Sequence, residues 1–376
     1  MTIRSPHPTA DVLIIGTGLI GLASAAAAAE RGLSVLVVGQ TRTGQASLAA
    51  AGILAPSIER AGGSADAFGI AARDRYPSYI EWLRERCGFT VPLNREGIIQ
   101  VALTDAGVRG LRRGMSAEAQ WLDERDVHAI EPALQHALGG VLNPHDGAVD
   151  NVQLYEALLS TVRSHPRVAL VDDTIVELAY PGVVEAIGQH ATYAADRVVV
   201  AAGAWSNLLR GIPRPIPVEP VRGQMISYLG VPLSRVVYGP TGYVVPRASG
   251  RTLVGATTEY VGFDSVTTPA GIDRLKRTAA EILPQLAGVE PNECWSGLRP
   301  MSTDLHPVLG VDPDEPRVVY ATGHSRNGVL MTPLTGDCIA ALLMGDPLPV
   351  DIEPFSIARF TAGSADDTTV NDSLAG

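Results

Sequence analysis

The stretch Asp11 to Gln40, DVLIIGTGLIGLASAAAAAERGLSVLVVGQ, decides how this chain folds. Val12 to Ile15 is a short apolar run that reads as a buried strand. Gly16, Gly18 and Gly21 follow in G-x-G-x-x-G spacing. Leu22 to Arg31 is alanine-rich and reads as a helix, and Val35 to Val38 reads as a second strand. Strand, glycine turn, helix and strand make the context that the dinucleotide fingerprint requires. There Gly16 allows the tight turn, Gly18 has no Cβ to block a pyrophosphate, and Gly21 lets the helix pack close to the sheet. The helix start offers N–H groups and a positive dipole end to the phosphates. Outside this context the same spacing fits an ordinary glycine turn.

The second strand of such a unit ends in Asp or Glu, about 20 residues on, to hold a ribose hydroxyl. Here the end reads Val38-Gly39-Gln40, with no acid. Gln40 can hydrogen-bond a ribose through its amide, without charge, and Arg42 is near.

The 376 residues leave room for two domains or one large one. Apolar residues make up 46% and charged residues 18%, which supports a sizeable core and argues against wholesale disorder. A net charge of −11 argues against nucleic acid or an anionic membrane as partner. Cys87, Cys294 and Cys338 form no C-x-x-C pair and read as free thiols in a reducing compartment. The lead MTIRSPHPTAD is not a signal peptide. No apolar run reaches roughly 18 residues, so no membrane span is expected and the protein is placed in the cytoplasm.

Thr41 to Pro56 is rich in Gly, Ala and Ser, so its backbone can lie against a flat cofactor. Ala65 to Cys87 reads as a helix. Gly97 to Leu103 and Val141 to Leu142 read as strands, with helices at Asp105 to Gln120 and Asp123 to Leu134 between them. Asp123 and Asp126 are candidate N-caps. Asn151 to Ser164 reads as a helix, and Val168 to Val171 and Thr174 to Leu178 as strands. Arg197 to Ala202 is a near-continuous apolar strand, suited to a sheet buried on both faces. Gly203-Ala204-Trp205-Ser206 follow and allow close approach by something flat.

Pro213 to Pro220 carries four prolines and marks a boundary. Beyond it Gln224 to Leu229, Tyr243 to Pro246, Thr252 to Ala256 and Asn292 to Ser296 read as strands, with a hairpin turn at Arg247 to Gly250. Ile272 to Leu286 reads as a helix. A strand, Arg317 to Ala321, and a helix, Gly328 to Leu343, then return the parallel texture. The Asp-, Ser- and Thr-rich stretch 361–376 is expected to be disordered.

These motifs resemble the D-amino-acid oxidase superfamily of flavoproteins, and within it the glycine oxidases. The segments that carry the resemblance are LIIGTGLIGLA, ASLAAAGILAP and RVVVAAGAWS, then PVRGQMISY, YGPTGYVVPR, GRTLVGATTE, CWSGLRPMSTD and ATGHSRNGVLMTPLTG, in that order. The glycine oxidase likeness rests on the last five. The expected fold is α/β (α+β), a Rossmann-like FAD-binding domain with a second, antiparallel-sheet substrate domain. The FAD-binding domain is expected to be discontinuous, over 1–88, 145–220 and 300–360. The substrate-binding domain takes 89–144 and 221–299.

The resemblance implies noncovalent FAD on Gly16, Gly18 and Gly21, with Gln40 toward the ribose. Ala49, Ala50, Ala51 and Gly52 would lie by the flavin, with Ala202, Gly203 and Trp205 also on the cofactor. Gly323, Arg326, Asn327 and Gly328 would lie at the pyrimidine end, where helix-start amides stabilise negative charge. The covalent attachment seen in sarcosine oxidases uses a cysteine, and GLRPMSTD has none. The implied substrate pocket is lined by Tyr238, Tyr243, Arg299 and Arg326.

An amino-acid oxidase must grip one carboxylate and leave the α-carbon over the flavin. Arg299 is assigned the main clamp, because a guanidinium fork pairs both carboxylate oxygens. Tyr243 adds a hydroxyl grip, Arg326 a supporting charge, and Tyr238 closes the pocket. Thr241 lies in a small roof segment, Gly239 to Gly242, that can admit a group larger than glycine. The family's chemistry needs no side-chain base: a hydride passes to FAD, the imine hydrolyses, and O2 is reduced to hydrogen peroxide.

The expected function is therefore oxidation of glycine, or of an N-substituted glycine such as an N-carboxymethyl amino acid, to glyoxylate and ammonia or the free amine. Relatives of this type serve thiamine biosynthesis or secondary metabolism. A D-amino-acid or sarcosine oxidase is the alternative within the superfamily. A flavin-binding assembly protein without activity is the alternative from another class, and a nicotinamide dehydrogenase a third. His128, His136, His145, His306 and His324 make no metal spacing, so no metal is expected. The expected partners are the amino-acid substrate and O2, and self-association stays open.

Overall fold

The computed structural model describes residues 10–60 and 62–360. Residues 1–9 and the stretch 361–376, expected to be disordered, lie outside these residues. The first strand, β1, spans Ala10–Ile15; the first helix, α1, spans Leu19–Glu30; and the second strand, β2, spans Val35–Val38. α1 starts three residues before the sequence-based expectation, because the extended Gly18 is its N-cap. β1 pairs in parallel with β2 on one edge and with Thr192–Val200 on the other. Val168–Val171 extends the sheet beyond β2, and Val318–Thr322 extends it beyond the end of Thr192–Val200, both in parallel.

Alternation along these strands builds two cores. Val12, Ile14, Val35 and Val37 face α1 and the helices Ser64–Cys87, Asn151–Ser164 and Gly328–Met344. Leu13, Ile15, Leu36 and Val38 face the opposite core, which holds Leu178, Ala186 and Tyr193. Burial of each such side chain contributes about 1.5–3 kcal/mol. The helix Asn151–Ser164 keeps its expected bounds and is capped by the Asp150 carboxylate.

A second eight-stranded sheet runs in the order Glu293–Ser302, Val218–Leu229, Arg251–Gly255, Tyr243–Pro246, Val236–Tyr238, Ile98–Ala102, Gly139–Asn143, Gln120–Leu122. All its pairs are antiparallel except Val236–Tyr238 with Ile98–Ala102. The expected boundaries at 220/221 and 299/300 fall inside strands, because the paired Val218–Leu229 and Glu293–Ser302 are longer than their apolar runs suggest. The helix expected over Asp105 to Gln120 ends at Gly114, and Gln120–Leu122 forms an edge strand. The helix expected from Asp123 covers Glu124–Ile130, with Asp123 as its N-cap and Asp126 completing a capping box rather than capping.

The two faces of this second sheet do different things. Ile226, Tyr228, Val244 and Val254 pack against Leu275, Ala279 and Ile282 of the helix Pro269–Ile282. Met225, Val245 and Leu253 face the other way and pack against Ala51 and Ala55. That second face meets the loop after β2 and encloses the site.

Candidate active site

A cavity of about 650 Å3 runs from the β1–α1 turn, past the loop after β2, to the inner face of the second sheet. Gly16 and Gly18 line it at the turn. A Cβ on Gly16, where φ is +119°, would lie 2.3 Å from the Ala201 carbonyl oxygen. A Cβ on Gly18 would meet only Ser47 Oγ, at 3.1 Å, so the backbone there faces open space. Gly21 is not in the wall: its Cβ would be 2.0 Å from the Gly16 oxygen, so it serves the close packing of α1.

Ala49, Ala50, Ala51 and Gly52 line the middle of the cavity. Their loop is tied to the second sheet, with Trp295 Nε1 donating to the Ala49 oxygen at 2.9 Å and Leu298 N to the Gly44 oxygen at 2.7 Å. Arg247 donates to the Ala51 oxygen at 3.0 Å, the Val149 oxygen at 2.6 Å and Asn151 Oδ1 at 2.6 Å. Burial pulls the Arg247 pKa down to about 10. Ala202, Gly203 and Trp205 lie on the wall, as do Gln40, Asn327 and Gly328. Gly323 does not; with φ at +69° it turns the chain before His324. No metal-holding group of three or more His, Cys, Asp or Glu occurs among the described residues.

The far end holds four expected residues together. Tyr238 and Tyr243 face each other with ring centroids 5.4 Å apart, and both line the cavity with Arg299 and Arg326. Arg299 stands on the strand Glu293–Ser302 and donates to the Thr257 carbonyl at 3.0 Å. Burial lowers its pKa, and the neighbouring Tyr243 opposes that. Burial raises the Tyr243 phenol, against Arg299 and Arg326. The Tyr243 hydroxyl also approaches the Met225 sulfur, at 3.8 Å.

Glu59 was not expected here. It accepts from Arg326 Nη2 at 2.7 Å and from the Tyr238 hydroxyl at 3.0 Å, on the same oxygen. Burial works against the charge on Arg326, but Glu59 and the two tyrosines outweigh it and its pKa is raised. A single acid in a loop carries no spacing signal, so only the fold brings Glu59 to the site.

Thr241 is a correction. Its hydroxyl bonds Glu281 at 2.5 Å and Thr278 at 3.0 Å, outside the cavity wall. The glycines of the turn Gly239 to Gly242 are tightly packed: a Cβ on Gly239 would lie 2.5 Å from Ile282 of the helix Pro269–Ile282, and one on Gly242 2.4 Å from the Gly255 oxygen. These glycines are small to allow that packing and do not roof the pocket. Only the residues flanking the turn, Tyr238 and Tyr243, reach the cavity.

The residues present fit an FAD molecule. The glycine turn leaves backbone open to a pyrophosphate, and small residues from 49 to 52 leave a flat wall. Gln45 Nε2, buried beside that wall, has no partner among the described residues.

The chain belongs to the FAD dependent oxidoreductase family, whose model matches residues 11–342. Within it, the similarity is to glycine oxidases and their kin. The bifunctional protein ThiO/ThiG of a Synechocystis species is 34% identical over 94% of this chain and 54% of its own length. A solved glycine oxidase from Geobacillus kaustophilus has a TM-score of 0.88 at 31% identity, covering 94% of this chain and 99% of that one. An iminodiacetate oxidase from a Chelativorans species has a TM-score of 0.84 at 27% identity, covering 92% and 98%. The chain spans about half the length of the first curated relatives it matches. No helix among the described residues is long and apolar enough to cross a membrane.

Proposed function

We propose that this chain is an FAD-dependent oxidase of glycine or of N-substituted glycines. The observation that carries the reading is the placement of Arg299: a largely buried guanidinium on a strand, beside Tyr243, at the end of the cavity away from the glycine turn. Arg299 pairs the two oxygens of the substrate carboxylate, and the Tyr243 hydroxyl donates to one of them. That grip directs the α-carbon toward the wall at 49–52.

Bound in the cavity, FAD supplies the two-electron acceptor for the α-hydrogen and, through O2, the route to hydrogen peroxide. The protein's part is electrostatic. Arg299 and Arg326 face one cavity, and their positive charge favours the neutral amine, the form able to lose hydride, over the ammonium. The Glu59–Arg326 pair, whose arginine side chain is 50% exposed, marks the open side, toward which an N-substituent would extend. The relatives named glycine oxidase and iminodiacetate oxidase support the same substrate class.

The test is peroxide release from glycine, sarcosine, D-alanine and N-carboxymethyl amines. Turnover of glycine or N-substituted glycines ahead of D-alanine supports the reading. Preference for D-alanine, or no peroxide from any of them, contradicts it.

A further inference from the structure

The end of β2 lacks the acid that accepts hydrogen bonds from an adenosine ribose in this fold. Position 39 has little room for one. A Cβ there would lie 3.0 Å from the Thr17 nitrogen and 3.2 Å from the Gly16 α-carbon.

The next residue, Gln40, lines the cavity with Arg42 and Thr174. Arg42 Nη2 donates to Thr174 Oγ1 at 2.9 Å, and Thr174 Oγ1 donates to Gln40 Oε1 at 3.1 Å. A guanidinium can only donate, so the threonine oxygen accepts from Arg42; in the observed arrangement the threonine proton goes on to the glutamine carbonyl. The Gln40 group left for the cavity is the amide NH2. Arg42 is itself steadied by the Trp205 ring, with 5.5 Å from guanidinium to centroid.

The neighbouring acid does not fill the gap. Asp173 is fully buried and accepts from the backbone N–H groups of Thr174, Gln189, His190 and Ala191 and from the Tyr193 hydroxyl. Its oxygens are committed to holding its own loop.

We infer that Gln40, oriented by Arg42 through Thr174, binds the adenosine ribose of FAD by donating to a hydroxyl oxygen, the reverse polarity of the usual acid. Gln40 is the binding residue, and Thr174 and Arg42 are positioning residues. The inference concerns the family's cofactor and is independent of which substrate the enzyme oxidises.

The test is a titration of apoprotein, read by flavin fluorescence, with FAD and with FAD analogues lacking the adenosine 2′- or 3′-hydroxyl. Wild type is expected to bind at least one deoxy analogue about tenfold more weakly than FAD, the size of one hydrogen bond. Gln40→Ala should weaken FAD by about tenfold and lose the discrimination. Gln40→Met, which keeps the length and removes the amide, should do the same. Thr174→Val should lose most of the discrimination with Gln40 still present. Absence of discrimination in wild type, or its full retention in either Gln40 variant or in Thr174→Val, overturns the inference.

Discussion

The guanidinium of Arg299 occupies the space that a side chain at Gly223 would need: a Cβ there would lie 2.3 Å from Arg299 Nη1 and 2.5 Å from Cζ. The two residues belong to neighbouring antiparallel strands, with Arg299 opposite Val221 and Gly223 opposite Gly297. A bare backbone at 223 therefore lets the guanidinium lie flat against the sheet and face the cavity.

Gly223→Ala should displace Arg299 without removing it. We expect KM for the glycyl substrate to rise by about tenfold, the order of one misaligned charged hydrogen bond, with FAD content unchanged. Steady-state kinetics beside a flavin-to-protein absorbance ratio checks this. An unchanged KM would show that the guanidinium tolerates a shift the substrate grip does not register.

The glycine turn separates two kinds of damage. Gly16→Ala places a methyl on the Ala201 carbonyl at a positive φ and should destabilise the apoprotein itself. Gly18→Val meets no positive φ, and it meets the Ser47 hydroxyl rather than backbone, so it should fold yet fail to retain FAD through contact with the pyrophosphate. Thermal unfolding of each apoprotein together with flavin content distinguishes them; a Gly18→Val protein fully loaded with FAD would contradict the placement.

Glu59→Gln removes the charge that Arg326 and Tyr238 share. Because the arginine side chain is half exposed, the loss of folding stability should stay within about 1 kcal/mol. The functional effect should fall on N-substituted glycines, whose KM should change more than that of glycine. Equal changes for both would move Glu59 away from the substituent.

His324 is buried, with Nε2 at 3.1 Å from Thr335 Oγ1, and burial pulls its pKa down to about 3. The folded state keeps it neutral where an unfolded chain takes up a proton, near pH 6.5. Its contribution to stability is therefore full above pH 6.5 and declines as pH falls toward 3. Denaturant unfolding between pH 4 and 7 should show this decline, and His324→Gln should flatten it. An equal slope in the variant would assign the decline to other groups.

The sequence was most legible where chemistry imposes a local pattern. β1, α1 and β2 follow from an apolar run, a glycine turn and alanine-rich helix formers, and Arg299, Tyr243, Tyr238 and Arg326 converge on one cavity. Short strands were not legible. Val236–Tyr238 holds three residues, too few for alternation to register, and one of its partners, Ile98–Ala102, lies far back in the chain. Thr241 misled because a small turn reads alike whether it faces a ligand or a helix. Glu59 and Thr174 reach the cavity only through tertiary packing, which no spacing in the chain encodes.

The most direct test of the account is anaerobic mixing of the FAD-loaded protein with glycine and N-substituted glycines, following the absorbance of oxidised flavin. Wild type should bleach, and Arg299→Ala should need about 30- to 1000-fold more substrate, matching the roughly 2–4 kcal/mol of a lost charge-assisted bidentate contact. A protein that stays yellow with every member of the panel, or an Arg299→Ala variant that bleaches at wild-type concentrations, would contradict it.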